Sequence, residues 1–126
     1  MRLSLWAAAL FAAIGLFVLA GCGDSPPAVD SSNTEATVSG LVTIDGVPAT
    51  EGEVVFDPSN IKRPGAVPRK ASIGKDGRYT VKTLLGENTI KLSGNVAHKS
   101  QILQRAQKAL NVQAGDNPFD MTFDSK

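Results

Sequence analysis

The chain has 126 residues and a formal net charge of +1, so it is long enough for one domain and too short for two sizeable ones. Its hydrophobic fraction of 42% supplies one modest core and excludes a chain that is disordered over most of its length. The single cysteine excludes an intramolecular disulfide framework.

The N-terminus has the pattern of an export signal. Arg2 supplies a short positive region, residues 3–20 carry no charge, and small residues follow. The uncharged run is at the lower edge of the length of a membrane-spanning helix, but no Lys or Arg follows it until Lys62, so it has no stop-transfer flank. We therefore predict a signal peptide over residues 1–21.

Four residues, Leu19, Ala20, Gly21 and Cys22, resemble the lipobox of bacterial lipoproteins at every position. The resemblance implies cleavage between Gly21 and Cys22, a diacylglyceryl thioether on the Cys22 sulfur and acylation of the new amino group. Because one acyl chain binds a bilayer only marginally, two or three on one residue make release slow. Membrane lipid is thus an expected partner through acylated Cys22. The alternative is a buried apolar cysteine in an uncleaved helix.

Residues 22–35 are predicted to form a lipidated, flexible tether. They are rich in Ser, Pro, Asp and Asn, and Val29 is their one large apolar side chain, so they cannot bury enough surface to offset their ordering entropy. In the lipoprotein rule, an aspartate directly after the lipidated cysteine favours the inner membrane, and Gly23 occupies that position here. The resemblance therefore implies an exported protein in the outer membrane that faces the periplasm or the cell surface.

The domain predicted over residues 36–126 begins with two strands. In residues 37–44 the apolar residues alternate with period two, which is typical of a half-buried strand. Asp45 and Gly46 then predict a turn, because glycine adopts positive φ without steric cost. The second strand is predicted over residues 53–56.

A loop and a hairpin are predicted next. Residues 60–70 contain two prolines and four basic residues, which favours an exposed loop. Over residues 69–84, Asp76 and Gly77 separate two alternating segments, which is a strong hairpin signal. We therefore predict that these two segments pair with each other.

The last third of the chain adds a strand, a helix and a closing strand. Residues 89–93 alternate again, whereas residues 99–110 repeat their apolar side chains at three and four positions, which predicts one short amphipathic helix with Ser100 as a candidate cap. Residues 119–123 return to period two. Several short strands and one helix favour an antiparallel sandwich over a parallel α/β sheet.

Three stretches, VSGLVTIDGVPATEGEVVFDP, KDGRYTVKTLLGENTIKLSG and VQAGDNPFDMTFD, resemble the carboxypeptidase regulatory-like domain of bacterial lipoproteins. The resemblance covers residues 36–124 and implies a mainly β fold, an antiparallel seven-strand transthyretin-like (prealbumin-like, Ig-like) β-sandwich. The matching residues have structural roles, as turn glycines or core positions, and Tyr79 is expected to bury its ring with the hydroxyl at a polar edge. They are Gly40, Asp45, Gly46, Pro48, Gly52, Val54, Phe56, Asp76, Gly77, Tyr79, Val81, Gly86, Gly115, Asn117 and Phe119.

The sequence argues against an enzyme, and no catalytic residue, metal site or cofactor is predicted. The chain has one histidine, His98, and lacks HExxH and GxSxG motifs, so zinc catalysis and a serine nucleophile are excluded. A hydrolase of purine breakdown shares the transthyretin-like fold, but its several histidines and its C-terminal Tyr-Arg-Gly-Ser signature are absent here. Asp45, Asp57 and Asp76 stand at strand ends as turn residues, because no dense acidic calcium loop surrounds them.

Charge is segregated along the sequence. Residues 24–57 carry seven acids and no base, whereas residues 58–108 carry eleven bases and two acids. One interpretation pairs acidic and basic strands across the sheet, each pair contributing roughly a few tenths of a kcal/mol. The other is a patch that binds anionic envelope glycans, lipid phosphates or an acidic partner, formed by Lys62, Arg63, Arg69 and Lys70.

Two classes of function remain open. The leading one is a lipid-anchored, non-catalytic cell-envelope module that is structural or binds protein or polysaccharide partners. The alternative is a small-ligand carrier or an accessory subunit of an envelope transport or secretion assembly, with a groove at a subunit interface. Nucleic acid is not an expected partner, because the protein is predicted to be exported and no aromatic residues interleave with the basic ones.

Overall fold

The structure is a computed structural model, and it describes residues 30–126. The predicted signal peptide over residues 1–21, the lipobox residues 19–22 and the predicted tether as far as residue 29 lie outside the described residues. From residue 30 onward, no helix combines the length and the hydrophobicity needed to cross a membrane.

The described chain is mainly β, with nine strands and two short helices. The strands are β1 (Glu35–Ile44), β2 (Val47–Pro48), β3 (Glu53–Asp57), β4 (Arg69–Ser72), β5 (Arg78–Leu84), β6 (Gly86–Ser93), β7 (Gln107–Val112), β8 (Asp116–Pro118) and β9 (Met121–Phe123), and the helices are α1 (Asn95–His98) and α2 (Gln101–Arg105). The strands predicted over 37–44, 53–56 and 89–93 are confirmed. The count exceeds the expected seven because β2 has only two residues and the last part of the chain contains two short strands, β8 and β9.

β1 is the centre of a five-stranded sheet. β2 and β5 pair with it antiparallel, with Val38 opposite Val81, whereas β8 and β9 pair with it in parallel. These parallel pairs correct the expectation of a purely antiparallel fold. They arise because β7 ends beside the start of β6. From there the chain crosses to the first residues of β1, and β8 and β9 then run along β1 in the same direction.

Two of the matched glycines have backbone roles in this sheet. The predicted turn after β1 is confirmed: Asp45 has φ 52° and Gly46 has φ 81°, and a tight two-residue hairpin turn requires positive φ at both positions. Gly40 allows the backbone at Phe119 to approach β1 closely, since a Cβ atom at residue 40 would collide with the carbonyl oxygen of Phe119. Both positions therefore favour glycine for steric reasons.

The second sheet has four antiparallel strands in the order β4, β3, β6 and β7, and it shares one hydrophobic core with the first sheet. The rings of Phe56 and Tyr79, one from each sheet, have centroids 5.9 Å apart. The Tyr79 hydroxyl donates to the carbonyl oxygen of Phe119 at 2.5 Å, as expected for a buried ring with a polar edge. The arrangement is β-sandwich-like.

The hairpin predicted over residues 69–84 is wrong, although its turn is present. The Gly77 amide donates to the Gly74 carbonyl at 2.9 Å, and Asp76 accepts from the Arg78 amide at 3.1 Å. However, β4 pairs with β3, and β5 pairs with β1 in the other sheet. The segment crosses between the sheets, and Ile73 is buried in the core at the crossing. Alternation predicts strands, but it does not say which sheet each strand joins.

The helix predicted over residues 99–110 is wrong in its second half. Ser100 caps α2 as expected, since its Oγ accepts from the Ile102 amide at 3.1 Å, but the helix ends at Arg105. Residues 107–112 form β7, because β6 offers them an edge to pair with and an isolated helix of this length is only marginally stable. The other helix, α1, was not predicted.

The two ends of the sheets carry different segments. The proximal end is where the described chain begins, and it contains residues 30–34, the β3–β4 loop (58–68), Leu85 between β5 and β6, and the β7–β8 loop (113–115). The distal end contains the β1–β2 turn, the β4–β5 crossing, both helices and the residues after β9.

Candidate functional site at the proximal end

Arg63 points into the protein at the proximal end. Its side chain is 8% exposed and lies among three backbone carbonyls. Nε donates to Pro58 at 2.8 Å, Nη1 to Ser32 at 2.8 Å and Nη2 to Leu85 at 2.5 Å, while Nη1 lies 3.9 Å from the Asp30 Oδ1. A planar guanidinium with five donors suits this set of acceptors, which a lysine ammonium would not match.

These bonds join the start of the described chain to the β3–β4 loop. Asn60 adds a further contact, because its Nδ2 donates to the Asp30 carbonyl at 2.8 Å, and its Oδ1 accepts from the Lys62 amide at 2.8 Å. We call Arg63, Asn60 and the residues 30–32 that they hold the proximal clasp. Within the described residues, Asp30 and Ser32 contact the domain, although both belong to the tether predicted over residues 22–35.

The four residues of the predicted basic patch have different surroundings, although Arg63 and Arg69 border the same surface depression. Arg63 is buried in the proximal clasp, and the Arg69 Nη2 lies 2.8 Å from the Glu35 Oε1. Lys62 and Lys70 are exposed, one on the β3–β4 loop and the other on β4. The Arg69–Glu35 pair joins a basic and an acidic segment, but it connects β4 and β1 of different sheets rather than neighbouring strands of one sheet. An exposed pair of this kind contributes at most about 1 kcal/mol.

Two buried asparagines brace the turns of the proximal end. Asn88 is fully buried; its Oδ1 accepts from the Thr83 hydroxyl at 2.6 Å, and its Nδ2 donates to the Leu84 and Gly86 carbonyls. Asn117 has the same role in the β7–β8 loop. Its Oδ1 accepts from the backbone N–H of Gln113 at 2.8 Å, and its Nδ2 donates to backbone carbonyls. Buried polar groups that are fully bonded fix a local geometry.

A cleft of about 800 Å³ lies beside the proximal clasp, between the β3–β4 loop, the β5–β6 turn and the end of β7. Its lining is rich in hydroxyl and amide groups, from Ser59, Asn60, Thr89, Asn111 and Gln113, with Asp30 and Glu87 as carboxylates and Ile61, Leu85 and Val112 as large apolar residues. The volume lies within the usual range of ligand sites. A smaller depression of about 460 Å³ lies along the same loop and includes Val67 and Arg69.

The cleft is lined mainly by side chains that form hydrogen bonds. Amide and hydroxyl side chains offer both donors and acceptors, which suits a ligand with many hydroxyl groups. Across residues 30–126, no cluster of three or more His, Cys, Asp or Glu side chains is placed to hold a metal ion. His98 is exposed on α1 at the distal end, away from the cleft.

The three carboxylates at strand ends, Asp45, Asp57 and Asp76, accept hydrogen bonds from backbone N–H groups. Asp57 accepts from the Ser59 amide at 2.9 Å, as Asp76 does from Arg78. Asp45 accepts from the hydroxyl and the amide of Ser125, and the hydroxyl bond, followed by the amide bond, lowers the pKa of Asp45. Burial raises the pKa of Tyr79, with a smaller contribution from the Asp120 charge, so its phenol stays protonated.

Arg63, Asn88 and Asn117 are the site residues whose roles sequence reasoning missed. The sequence marks Asn117 only as part of a family pattern and predicts that Arg63 is exposed, and it assigns no role to Asn88. One signal is available for Asn88, because it lies two residues after Gly86, close to a turn, where an amide side chain commonly bonds to nearby backbone. Nothing in the pattern distinguishes Arg63 from its exposed neighbour Lys62.

Comparisons with known proteins support the fold. A DUF3823 family protein from Parabacteroides merdae has a TM-score of 0.53 at 14% identity over 70% of this chain and 45% of that one. Another DUF3823 family protein, from Bacteroides ovatus, has a TM-score of 0.50 at 19% identity over 71% of this chain and 43% of that one. The chain thus spans less than half the length of these two proteins, and the likeness shows the fold alone.

The other comparisons do not identify a family for the chain. The dioxygenase domain of a dioxygenase carbohydrate-binding protein fusion from Streptomyces sp. SirexAA-E has a TM-score of 0.44 at 18% identity over 82% of this chain and 92% of that one, and a likeness this weak carries no argument. No protein-family profile and no curated protein sequence matches the chain.

Proposed function

We propose that this protein is a lipid-anchored, non-catalytic module of the bacterial cell envelope that binds a hydroxyl-rich polymer, such as an envelope polysaccharide, at its proximal cleft. The domain is a member of the carboxypeptidase regulatory-like group with a transthyretin-like sandwich of seven principal strands. Export and attachment to the outer membrane through acylated Cys22 complete the proposal.

The observation that carries the proposal is the composition of the cleft. Five of its lining side chains are uncharged donors or acceptors, and about 800 Å³ is enough space for a few sugar rings. Thr89 and Asn111 lie on neighbouring strands, and Leu85 supplies apolar surface for the face of such a ring. A sugar ligand needs this mixture of hydrogen bonds and apolar contact.

Support for the anchor comes from the sequence. Leu19, Ala20, Gly21 and Cys22 match the lipobox, and the proximal clasp holds Asp30 close to the cleft. An anchored protein would therefore present the cleft near its attachment point. The alternative of a small-ligand carrier predicts that the cleft prefers short ligands over polymers.

The anchor is tested by mass spectrometry of the mature protein isolated from membranes. We expect an N-terminus at Cys22 with the added mass of a diacylglyceryl group, and loss of membrane attachment in Cys22→Ser. An unprocessed N-terminus at Met1, or a Cys22 without acyl mass, would contradict the anchor.

Binding at the cleft is tested by nuclear magnetic resonance with oligosaccharides released from the cell envelope. We expect shifts confined to amides that border the cleft, and a weaker response in Thr89→Val, which removes one hydroxyl. Thr80→Val is the matched control, because Thr80 is exposed on β5 in the other sheet. If both variants respond as the wild-type protein does, the cleft is not the binding site; tighter binding of single sugars than of polymers would favour the carrier.

A further inference from the structure

The β3–β4 loop exposes apolar side chains at the proximal end. Four large hydrophobic residues lie exposed in the described part of the chain, and two of them, Ile61 at 86% and Val67 at 66%, belong to this loop. The other two, Val47 and Ile102, lie at the distal end on the β2 strand and on α2. The loop therefore combines two exposed aliphatic side chains that its own domain leaves uncovered.

The same loop is fastened to the chain that leads to Cys22. Asn60, the residue directly before Ile61, donates to the Asp30 carbonyl at 2.8 Å, and Arg63 donates to the Ser32 carbonyl at 2.8 Å. Eight residue steps separate Cys22 from Asp30, which is at most about 28 Å of fully extended chain. A lipid on Cys22 would therefore keep Asp30 within this distance of the bilayer. The proximal clasp keeps Ile61 close to Asp30, because Asn60 precedes Ile61 directly.

The charges of the loop suit a lipid surface. Residues 58–68 contain no Asp or Glu, and Lys62 is exposed between the two aliphatic side chains. An ammonium group on a long apolar stem can remain among lipid phosphates while its neighbours enter the apolar layer. The guanidinium of Arg63, by contrast, is occupied inside the proximal clasp.

We propose that the β3–β4 loop, through Ile61 and Val67, is a second membrane contact that enters the headgroup region of the bilayer holding the Cys22 lipid. This inference rests on the proposed lipid anchor. The contact fixes the orientation of the domain, with the proximal end toward the bilayer and the β1–β2 turn away from it. Because the contact is mainly apolar, high salt does not abolish it.

The test uses the mature, lipidated protein in vesicles of phosphatidylethanolamine with a minor share of phosphatidylglycerol. A polarity-sensitive fluorophore is attached to Ile61→Cys, to Val67→Cys or to the control Val47→Cys, whose native side chain is 64% exposed at the distal end. With the Cys22 sulfur in the thioether, each variant has one reactive thiol. Circular dichroism verifies the fold of each variant, and flotation with the vesicles is measured first.

Insertion predicts that a spin label near the lipid headgroup quenches the fluorophore at residues 61 and 67 on the order of threefold more strongly than at residue 47, at low and high salt. Equal quenching at all three sites in a protein that floats would overturn the membrane contact and leave the anchor intact. Failure to float would overturn both. Shielding of residue 61 that disappears when the protein is diluted on the vesicle would indicate contact with a second copy, and would also overturn the proposal.

Discussion

The proximal and distal ends of this domain are stabilised by different interactions. At the proximal end, Arg63, Asn88 and Asn117 direct their side chains at backbone carbonyls, and these bonds shape the loops. At the distal end, α1 and α2 bury Val96 and Leu103 against the sheets. Directional bonds hold a loop in place without covering it, so the proximal end keeps an open cleft, whereas at the distal end the helices pack over the core.

The largest effect is expected at the distal end from Leu103→Ala. Leu103 is 1% exposed, so removal of its side chain leaves a cavity and lowers the free energy of unfolding by about 3 kcal/mol. Denaturant unfolding measures this loss. The control Ile102→Ala, at a side chain 49% exposed on the same helix, should cost about 0.5 kcal/mol. Equal losses would show that α2 does not form part of the core.

At the proximal end, Asn88→Ala should lower the free energy of unfolding by about 2 kcal/mol, because it leaves the Thr83 hydroxyl and two buried carbonyls without their partner. The same measurement on Asn111→Ala provides the control, since Asn111 is exposed on β7. A change of similar size in both variants would contradict the special role of the buried amide.

Arg63→Met should act locally. Loss of the guanidinium releases the proximal clasp, so the Leu85 amide, which donates to the Thr34 carbonyl at 3.0 Å, should exchange about tenfold faster while global stability falls by about 1 kcal/mol. Hydrogen exchange resolves this, with Lys62→Met as the control at the exposed neighbour. Uniform acceleration throughout both sheets would mean that Arg63 supports the whole core.

The smallest effect concerns pH at the distal end. Hydrogen bonds from Ser125 lower the pKa of Asp45 below its ordinary value of 3.8. Its carboxylate therefore contributes stability above pH 3.8, and this contribution is lost as the pH falls through the lowered value. Stability curves of the wild-type protein and Asp45→Asn should converge in acid and separate slightly toward neutral pH. A constant separation at all pH values would show that the Ser125 bonds do not depend on the charge.

The sequence predicted local features well and long-range partners poorly. The turn at Asp45 and Gly46 and the strand over residues 89–93 follow from local rules of backbone geometry and alternation, and both are confirmed. The hairpin over residues 69–84 failed because a turn of the same local type can also join two different sheets. The helix over residues 99–110 failed because its second half pairs with β6, and local propensity does not include that edge.

The candidate site was harder to predict than the fold. A basic loop with two prolines indicates exposure, and this is correct for Lys62 and Lys70. Arg63 differs only because three carbonyls from separate segments converge on it, and such convergence exists only after folding. The cleft likewise joins the β3–β4 loop to β7, whose sequence positions are about fifty residues apart.

The position of β1 also has a consequence for the order of assembly. The hydroxyl oxygens of Thr43 on β1 and Thr122 on β9 lie 3.0 Å apart, although the two residues are 79 positions apart in the sequence. The first strand therefore obtains its last neighbour only after nearly the whole domain has been synthesised. Contacts of such high sequence separation slow folding, because loop closure must precede them. A newly made chain would therefore remain unfolded for longer than one built from local hairpins, and this delay would suit the export that we propose.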